Sequence, residues 1–506
     1  MTRNLFYLLA FLATIPSLAQ ENPAMRKYAS HVNAEQLKDN LTILASDALE
    51  GRYTGSRGQK MAAAFIANYF EENGLEPPVN GSYFQPVPLY SIKQGDVYLV
   101  AGTNRFENFK DLFYVGDGET GAEIKAELVY AGKGGDADLA QLDIKGKAVL
   151  LLIDNLNFST TRALQTNARK IRETGVKYIF AVAGSTSEEF DQASARAKSR
   201  QARGDLSLDK PAADEADQGI FYLKPTAVEK IFNTTMEKMK SLAGTEPTKK
   251  PLRKIKPAVV SFQTTLSTNP VRSENVLGYL PGTDKKDELV IITAHYDHIG
   301  KRSSAGDDVI NNGADDDGSG TVAVMQLAKA FAEARKAGSG PRRSMLFMTV
   351  TGEEEGLLGS EYYTKNPVFP LASTVVNLNM DMIGRTDEKY KDNKNYVYVI
   401  GADKLSSELH EMNERLNSTY THLIFDYVYN DQNHPERLYY RSDHWNFAKN
   451  NIPIIFYFDG IHEDYHKVSD EVSKIDFDLL ALRAQCVFYT AWEIANRDDR
   501  LKVDKK

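Results

Sequence analysis

The chain has 506 residues, of which 42% are hydrophobic and 26% are charged, and its formal net charge is -8. One hydrophobic core usually stops growing at about 250–300 residues, so this length predicts two domains. The composition excludes a largely disordered protein. The acidic balance disfavours a nucleic-acid partner, because phosphate binding needs a concentrated basic surface. The basic run from Lys249 to Lys256 is interpreted as a solvated domain boundary.

The N-terminus is typical of an export signal. An apolar run from Leu5 to Ile15 follows Arg3, and Ser17, Leu18 and Ala19 form a small-x-small cleavage site. The run is shorter than the roughly 18–20 residues that a membrane span needs. Residues 1–19 are therefore interpreted as a cleaved signal, and the mature protein is expected in the periplasm or the medium, without a membrane anchor. Cys486 is the single cysteine, so no intrachain disulfide is expected.

The first half of the chain predicts two helices and then a small α/β domain. The helices are expected from Glu35 to Leu49 and, after a capping box that begins at Ser56, as far as Gly74. Residues 92–261 then change to short strands and Gly-rich turns, which predicts an inserted domain with its linker. Its strands are predicted at 126–132, 147–154 and 176–184. Residues 190–256 are polar and are predicted as loops.

From residue 262 onwards, strands alternate with helices, which predicts an α/β fold with a mixed, mostly parallel sheet flanked by helices. Residues 20–91 and 262–506 are expected to form this domain. Its strands are predicted at 289–294, 345–350, 374–380 and 453–458, and its helices at 321–336 and 476–496. Ligands of such sheets bind at the carboxyl ends of the strands. One motif with imidazole or carboxylate side chains follows each of these strands, so the motifs are expected to converge.

These motifs supply an ordered set of side chains that indicates a pair of metal ions. Catalytic zinc takes His nitrogen and carboxylate oxygen ligands and keeps a position for water, whereas structural zinc usually uses Cys. Five ligands exceed the three that a single catalytic zinc needs. The candidate metal ligands are His295, Asp316, Glu354, Asp381 and His466. Two zinc ions are expected, although nitrogen and oxygen ligands also admit cobalt or manganese.

Further side chains near the motifs have predicted supporting roles. The Asp297 carboxylate is expected to accept the second ring N–H of His295 and so to orient the imidazole. Consecutive side chains diverge in extended backbone, so Glu353 is predicted to face the metal-bound water as the general base. Tyr457 and the segment Arg441–His444 are candidates for lining a substrate pocket or for stabilising the oxyanion. Local hydrogen bonding is the preferred interpretation of three nearby histidines: His298, His444 and His462.

The ordered motifs resemble those of the M28 family of zinc-dependent peptidases, mostly aminopeptidases, that carry an inserted protease-associated (PA) domain. The matching blocks are HYD, GADDDGSG, TGEEEGLLGS, NMDMIGR, SDH and DYHKVSD. The resemblance covers residues 262–490 and, less fully, 30–90, whereas 92–260 resembles a PA domain in outline. It implies a dizinc site in which Asp316 bridges the two ions and Glu353 is the base.

The chemistry and the resemblance together predict an exported dizinc aminopeptidase acting on peptide substrates. A carboxypeptidase or dipeptidase of the same zinc architecture is the first alternative, because the metals define the reaction but not the substrate end that is held. A glutaminyl-cyclase-like acyltransferase with one zinc is the second. A non-catalytic binding protein is the third, since related folds with broken metal sites serve as receptors. The sequence sets no oligomeric state.

Overall fold

The computed structural model describes residues 21–116, 118–184, 186–210, 219–243, 250–302 and 308–505. The predicted export signal, residues 1–19, lies outside these ranges. Among the helices within them, none combines the length and the apolar character that a membrane span requires. The chain divides into two compact units, which are unit 1 (Met1–Val87 and Ser273–Lys506) and unit 2 (Pro88–Arg272).

The strands and helices are numbered in chain order. The strands are β1 (Phe84–Ala101), β2 (Asn104–Glu107), β3 (Leu112–Val115), β4 (Ile124–Tyr130), β5 (Ala148–Ile153), β6 (Tyr178–Ala183), β7 (Asp205–Ser207), β8 (Ile220–Leu223), β9 (Ala258–Leu280), β10 (Lys285–His295), β11 (Arg343–Val350), β12 (Thr374–Met380), β13 (Tyr396–Ile400), β14 (Ile424–Asp426) and β15 (Ile454–Phe458). The helices are α1 (Pro23–Ala29), α2 (Ala34–Leu44), α3 (Arg57–Glu72), α4 (Asp136–Leu139), α5 (Phe158–Glu173), α6 (Ser187–Arg203), α7 (Pro225–Phe232), α8 (Met236–Ala243), α9 (Gly320–Lys336), α10 (Leu358–Lys365), α11 (Ser407–Tyr420), α12 (His444–Ala448) and α13 (Phe477–Asn496).

Unit 1 is built on a mixed sheet with the strand order β14-β13-β15-β12-β10-β11-β9. The four strands from β15 to β11 are parallel, and β9 pairs antiparallel with β11. Every residue of β11 and β12 is buried, as expected for parallel strands that are covered on both faces. The predicted α/β fold with a mostly parallel sheet is confirmed.

Alternate side chains of the unit 1 strands enter two different hydrophobic cores. On β10, Val290 and Ile292 pack into a core with residues of α2, α3, α9 and α13. Ile291 points to the opposite face, where a second core contains Tyr363 of α10 and Phe447 of α12. Because side chains alternate along a strand, a continuous apolar run supplies both cores. The sheet is therefore packed between helices on both faces. The edge formed by the carboxyl ends of its strands remains available for side chains of a site.

Unit 2 is built on strands in the order β9-β4-β5-β6-β8-β3. The strands β4, β5, β6 and β8 are parallel, whereas β3 pairs antiparallel with β8. Val149 and Leu151 of β5 pack in one core, and Leu150 packs in the core on the other face. The three strands predicted in this region are confirmed with shifts of one or two residues at their ends.

The prediction of loops over residues 190–256 is wrong, because this region contains α6, β8, α7 and α8. The sequence of α6 is polar but rich in Ala, Glu, Gln and Arg, which have high helix propensity. Phe190 and Ala193 give it a narrow buried stripe. The predicted domain boundaries after residues 91 and 261 lie inside β1 and β9, whereas the two units divide after Val87 and Arg272.

Candidate metal centre

The parallel strands of unit 1 deliver the candidate ligands to one edge of the sheet. His295 is the last residue of β10, and Asp381 directly follows β12. Glu353 and Glu354 lie just beyond the end of β11, and His466 lies in the loop after β15. The carboxyl ends of parallel strands share an edge, which explains how residues distant in sequence meet there.

A first group of side chains surrounds the Nε2 atom of His295. This nitrogen lies 3.3 Å from Asp316 Oδ1 and 3.6 Å from Asp381 Oδ1. Glu353 Oε2 is 3.8 Å from the same nitrogen. The ring of His295 is 1% exposed, so these contacts lie in a nearly dry environment. An imidazole nitrogen that faces several carboxylates is a natural place for a metal cation.

A second group surrounds His466. Its Nε2 atom lies 3.1 Å from Asp316 Oδ2 and 3.0 Å from Glu354 Oε2. Asp316 therefore presents one carboxylate oxygen to His295 and the other to His466. The arrangement is that of a carboxylate able to bridge two cations, one in each group.

His298 also belongs to this second group, although sequence spacing did not select it. Its Nδ1 atom lies 2.7 Å from Glu354 Oε1 and 3.8 Å from Asp316 Oδ2. Ligand atoms of these three residues all lie within 4.8 Å of one another, as do those of His295, Glu353 and Asp381. The local hydrogen bonding predicted for His298 is thus directed at a candidate ligand.

Asp297 orients its neighbours differently from the prediction. The Nδ1 atom of His295 lies 3.0 Å from the backbone carbonyl oxygen of Asp297, whereas the Asp297 carboxylate is 3.8 Å away. The carboxylate instead accepts hydrogen bonds from the Thr54 hydroxyl (2.8 Å) and from the Glu353 backbone N–H (3.3 Å). The carbonyl oxygen of Asp297 thus binds one ring nitrogen of His295 and leaves the Nε2 atom facing the cluster. The carboxylate of Asp297 holds the backbone of Glu353.

The three consecutive aspartates have different surroundings. Asp317 accepts backbone N–H bonds from His295 (3.1 Å) and Met382 (3.1 Å), so it ties two of the strand ends together. Asp315 accepts an N–H bond from Gly384 at 2.7 Å. Asp316 is the member of the triplet whose two oxygens face His295 and His466. This geometry gives a physical reason for choosing the middle aspartate.

Two buried residues that sequence reasoning missed hold this turn in place. The carboxylate of Asp470 accepts the backbone N–H groups of Asp315 and Asp316, each at 3.1 Å. Arg52, which is fully buried, donates to the carbonyls of Tyr296 (2.8 Å) and Gly313 (2.9 Å). Asp470 lies in the DYHKVSD block, so a sequence motif could have indicated it. No motif or spacing in the sequence indicates Arg52.

Burial and close charges shift the pKa values of the cluster. Burial alone would raise the pKa of Asp316, but contacts with His295 and His466 hold it well below its ordinary value. Burial lowers the pKa of His466, but Asp316 and Glu354 outweigh this effect and raise it to about 10. For Glu353, burial and then the negative charges of Asp381 and Glu354 raise the pKa well above its ordinary value, against the effect of His295.

The residues present fit zinc. All the candidate ligand atoms are imidazole nitrogens or carboxylate oxygens, as catalytic zinc prefers. Within the described residues, Asp316 Oδ2 and His466 Nε2 are buried and lack an aligned hydrogen-bond partner, which suits atoms that bind a cation. The four carboxylates that line the adjoining cavity place a strong negative charge there: Asp316, Glu353, Glu354 and Asp381.

A cavity of about 40 Å³ opens beside these carboxylates. One part of its wall is apolar and consists of Met382, Leu438, Phe456, Phe458 and Ile461. Arg441 and Tyr465 complete the lining, so the segment Arg441–His444 contributes one residue to it. The ring of Tyr465 stacks on that of His466, with the centroids 3.9 Å apart. In the sequence, only its position next to His466 could have indicated that Tyr465 lies at the site.

The remaining candidates lie in the protein interior. Tyr457 does not line this cavity as predicted, because its strand directs it into the core, where its hydroxyl donates to Asn413 Oδ1 at 2.8 Å. His444 Nε2 lies 2.8 Å from the carbonyl oxygen of Tyr439. His462 Nε2 lies 3.2 Å from Asp315 Oδ2. Local hydrogen bonding was predicted for both histidines, and His462 Nδ1 accepts such a bond from the backbone N–H of Asp464 at 3.2 Å.

Comparison with known proteins agrees with this chemistry. Residues 275–491 match the model of Peptidase family M28. A probable leucine aminopeptidase of Trichophyton verrucosum is 28% identical over 228 residues, which cover 44% of this chain and 57% of that protein. A probable zinc metalloprotease of Leptosphaeria maculans is 34% identical over 128 residues, or 23% of this chain and 25% of that protein. The chain thus spans about half the length of the first relative and a quarter of the second.

The solved structures extend the likeness in fold over most of the chain. An aminopeptidase from Aneurinibacillus sp. strain AM-1 superimposes with a TM-score of 0.56 and 19% identity, covering 95% of this chain and 98% of that one. This likeness concerns the fold. The family match over residues 275–491 and the similar aminopeptidase and zinc metalloprotease agree with a donor set that fits zinc.

Proposed function

We propose that this protein is an exported dizinc aminopeptidase that removes N-terminal residues from peptides. The observation that carries the proposal is the position of Asp316, whose two carboxylate oxygens face His295 and His466 separately. His295 with Asp381 would hold one ion, and His466 with Glu354 the other. Aminopeptidases among the similar proteins support the choice of reaction.

In the proposed mechanism, bound zinc would polarise the substrate carbonyl and acidify a water molecule. Glu353 accepts the proton of the attacking water and later delivers it to the leaving amine. Burial, followed by Asp381 and Glu354, raises the pKa of Glu353, which makes its carboxylate a stronger base. The backbone N–H of Glu353 is held by Asp297, so the base has a defined position.

The apolar wall of the cavity supports a preference for an apolar N-terminal side chain. Leu438, Phe456 and Phe458 would exclude water from that side chain, and burial of its apolar surface would favour binding. The same wall lowers the local dielectric constant, which strengthens the electrostatic interactions of the neighbouring carboxylates.

A carboxypeptidase or dipeptidase of the same architecture is the second candidate, and Arg441 is the observation that favours it. Arg441 lines the cavity, and its guanidinium forms an ion pair with Glu436 at 3.2 Å. A guanidinium near the reacting bond could hold the carboxylate of a substrate C-terminus instead.

One peptide in three forms separates these candidates. Zinc-loaded protein is incubated with the peptide free at both ends, N-acetylated, or C-amidated, and the products are identified by mass spectrometry. The proposal expects N-acetylation to abolish cleavage and C-amidation to be tolerated. Loss on amidation alone would indicate a carboxypeptidase, and loss on either change a dipeptidase. Failure to cleave any form would contradict the peptidase proposal and favour the cyclase-like or binding alternatives.

The number of ions is tested separately. Metal analysis of protein reconstituted with zinc and then desalted should give about two zinc ions per chain. A value near one would contradict the shared role of Asp316 and would favour the cyclase-like alternative. Export is proposed from the sequence of residues 1–19 and is tested by locating the mature protein and sequencing its N-terminus.

A further inference from the structure

Unit 2 contains a large cleft that the metal centre does not use. Its volume is about 1340 Å³, which exceeds the roughly 300–1,000 Å³ typical of small-molecule pockets. Helices α5 and α6 supply its polar lining, and β3 and β8 supply aromatic residues. Phe113 of β3 and Tyr222 of β8 stack with ring centroids 5.0 Å apart. The size suits a ligand larger than a metabolite.

The charged lining of the cleft is mainly positive. Four arginines line it: Arg162, Arg169 and Arg172 of α5, and Arg196 of α6. Glu173 and Asp205 also line it, so the cations exceed the anions by two. The whole chain has a net charge of -8, which makes this local excess of cations a distinct feature. A cationic cleft attracts an anionic ligand.

Two of these arginines are available to a ligand. Arg169 and Arg196 are exposed, and within the parts of the chain that the structure describes they form neither an ion pair nor a hydrogen bond. Arg172, by contrast, donates to the carbonyl of Gly219 at 2.9 Å. A guanidinium can form two parallel hydrogen bonds with one carboxylate.

The cleft also offers hydrogen-bond acceptors. The side-chain amides of Gln94 and Gln201 both donate to the backbone carbonyl of Tyr114, at 3.0 and 3.1 Å. Their own amide oxygens are buried and have no hydrogen-bond partner among the described residues. A rotation of either amide toward the cleft would let its oxygen accept a peptide N–H. Unsatisfied acceptors of this kind favour a ligand with backbone donors.

We propose that this cleft binds an acidic peptide segment of a protein or peptide partner in an extended conformation. Arg162 and Arg169 are seven residues apart, or about 10 Å along the helix axis. In the polyproline II form of an extended peptide, which has three residues per turn and a rise of about 3.1 Å, acidic side chains three residues apart lie on one face and about 9 Å apart. The arginines thus select the acidic side chains, and the glutamine oxygens meet the peptide backbone. The inference does not depend on the proposed aminopeptidase activity.

The test uses the full-length protein and two short fluorescent peptides. One has Glu at every third position between neutral residues, and its counterpart has Lys at the same positions. Both are N-acetylated and C-amidated, so that neither free end can be held by an exopeptidase centre. Fluorescence anisotropy measures binding to the wild type and to the charge-reversed variant Arg169→Glu/Arg196→Glu. The matched control is Lys170→Glu/Lys198→Glu, which changes two exposed cations beside them on the same helices.

The wild type is expected to bind the Glu peptide and not the Lys peptide, with an affinity that falls as salt is added. Charge reversal should weaken binding about tenfold or more, and the control should change it less than about threefold. Equal binding of both peptides, or equal effects of the two variants, would overturn the proposal.

A competing occupant is the acidic sequence of this chain itself, which includes Asp214, Glu215 and Asp217. Binding that is absent from the wild type but present in Asp214→Asn/Glu215→Gln/Asp217→Asn would assign the cleft to this segment and would contradict the proposal of an external partner. Circular dichroism of every variant verifies that the fold is retained.

Discussion

Units 1 and 2 share an architecture but differ in the residues that follow their parallel strands. In unit 1, His295 ends β10, and Asp381 directly follows β12. In unit 2, Asp154 follows β5 and Gly184 follows β6. All nine histidines of the chain lie outside residues 88–272. This fold therefore supplies a common edge, and the side chains placed there decide whether the edge can bind metal.

The carboxylates of the two units also differ in burial. Asp316 has a side chain that is 4% exposed, and it faces two imidazoles. Asp154 is 73% exposed, and its partner is the exposed Lys133 at 2.9 Å. Charges interact more strongly when water is excluded, so equivalent substitutions should have very different effects in the two units.

The largest effect is expected from Asp316→Asn. The substitution keeps the volume of the side chain but removes the charge that both groups share, so neither ion would keep its shell. We expect zinc content to fall sharply and peptide hydrolysis to fall by at least about a thousandfold. Metal analysis and peptidase assays measure the two effects. Near-normal zinc content in a folded variant would contradict the bridging role.

Glu353→Gln should separate chemistry from metal binding within unit 1. The amide cannot accept the proton of water, so the turnover number should fall by about 10² to 10⁴. Zinc content should stay close to that of the wild type, because Glu353 is not a proposed ligand.

Glu355→Gln is the matched control for this variant. It makes the same chemical change two residues away, at a side chain that is absent from the lining of the cavity. It should retain most of the activity. If Glu353→Gln hydrolysed peptides at the wild-type rate, the proposed general base would be wrong.

The regular part of the fold could be predicted from local pattern, but the irregular part of the site could not. Local hydrophobic patterns predicted β12 at its observed bounds and α9 to within one residue. The polar helix α6 was missed, because its buried stripe is narrow. The contact of His298 with Glu354 and that of Arg52 with Gly313 join residues far apart in sequence. Such contacts depend on loop conformations that no periodicity encodes.

Substitutions of Asp470 test whether contacts of this kind contribute to metal binding. Asp470→Ala removes the acceptor for the backbone N–H groups of Asp315 and Asp316, so the bridging carboxylate would lose its fixed position. Outer-shell changes of this kind typically cost about 10- to 100-fold in metal affinity or activity. Asp470→Asn keeps one acceptor oxygen and should lose less. Competition with a zinc chelator measures the zinc affinity. Equal losses of affinity in both variants would mean that the charge of Asp470 matters, rather than its positioning of the Asp316 backbone.

The smallest effect is expected at the strand end of unit 2. Asp154→Asn removes the charge that pairs with Lys133, but both side chains are mostly exposed to water. Exposed ion pairs contribute about 0–1 kcal/mol, so the free energy of unfolding in urea should change by no more than that. Peptide hydrolysis and zinc content should be unchanged, because this aspartate has no imidazole in its unit to share a cation with. A loss of activity in Asp154→Asn would contradict the proposal that only the strand ends of unit 1 bind metal. Burial and imidazole neighbours would then not explain the difference between the two units.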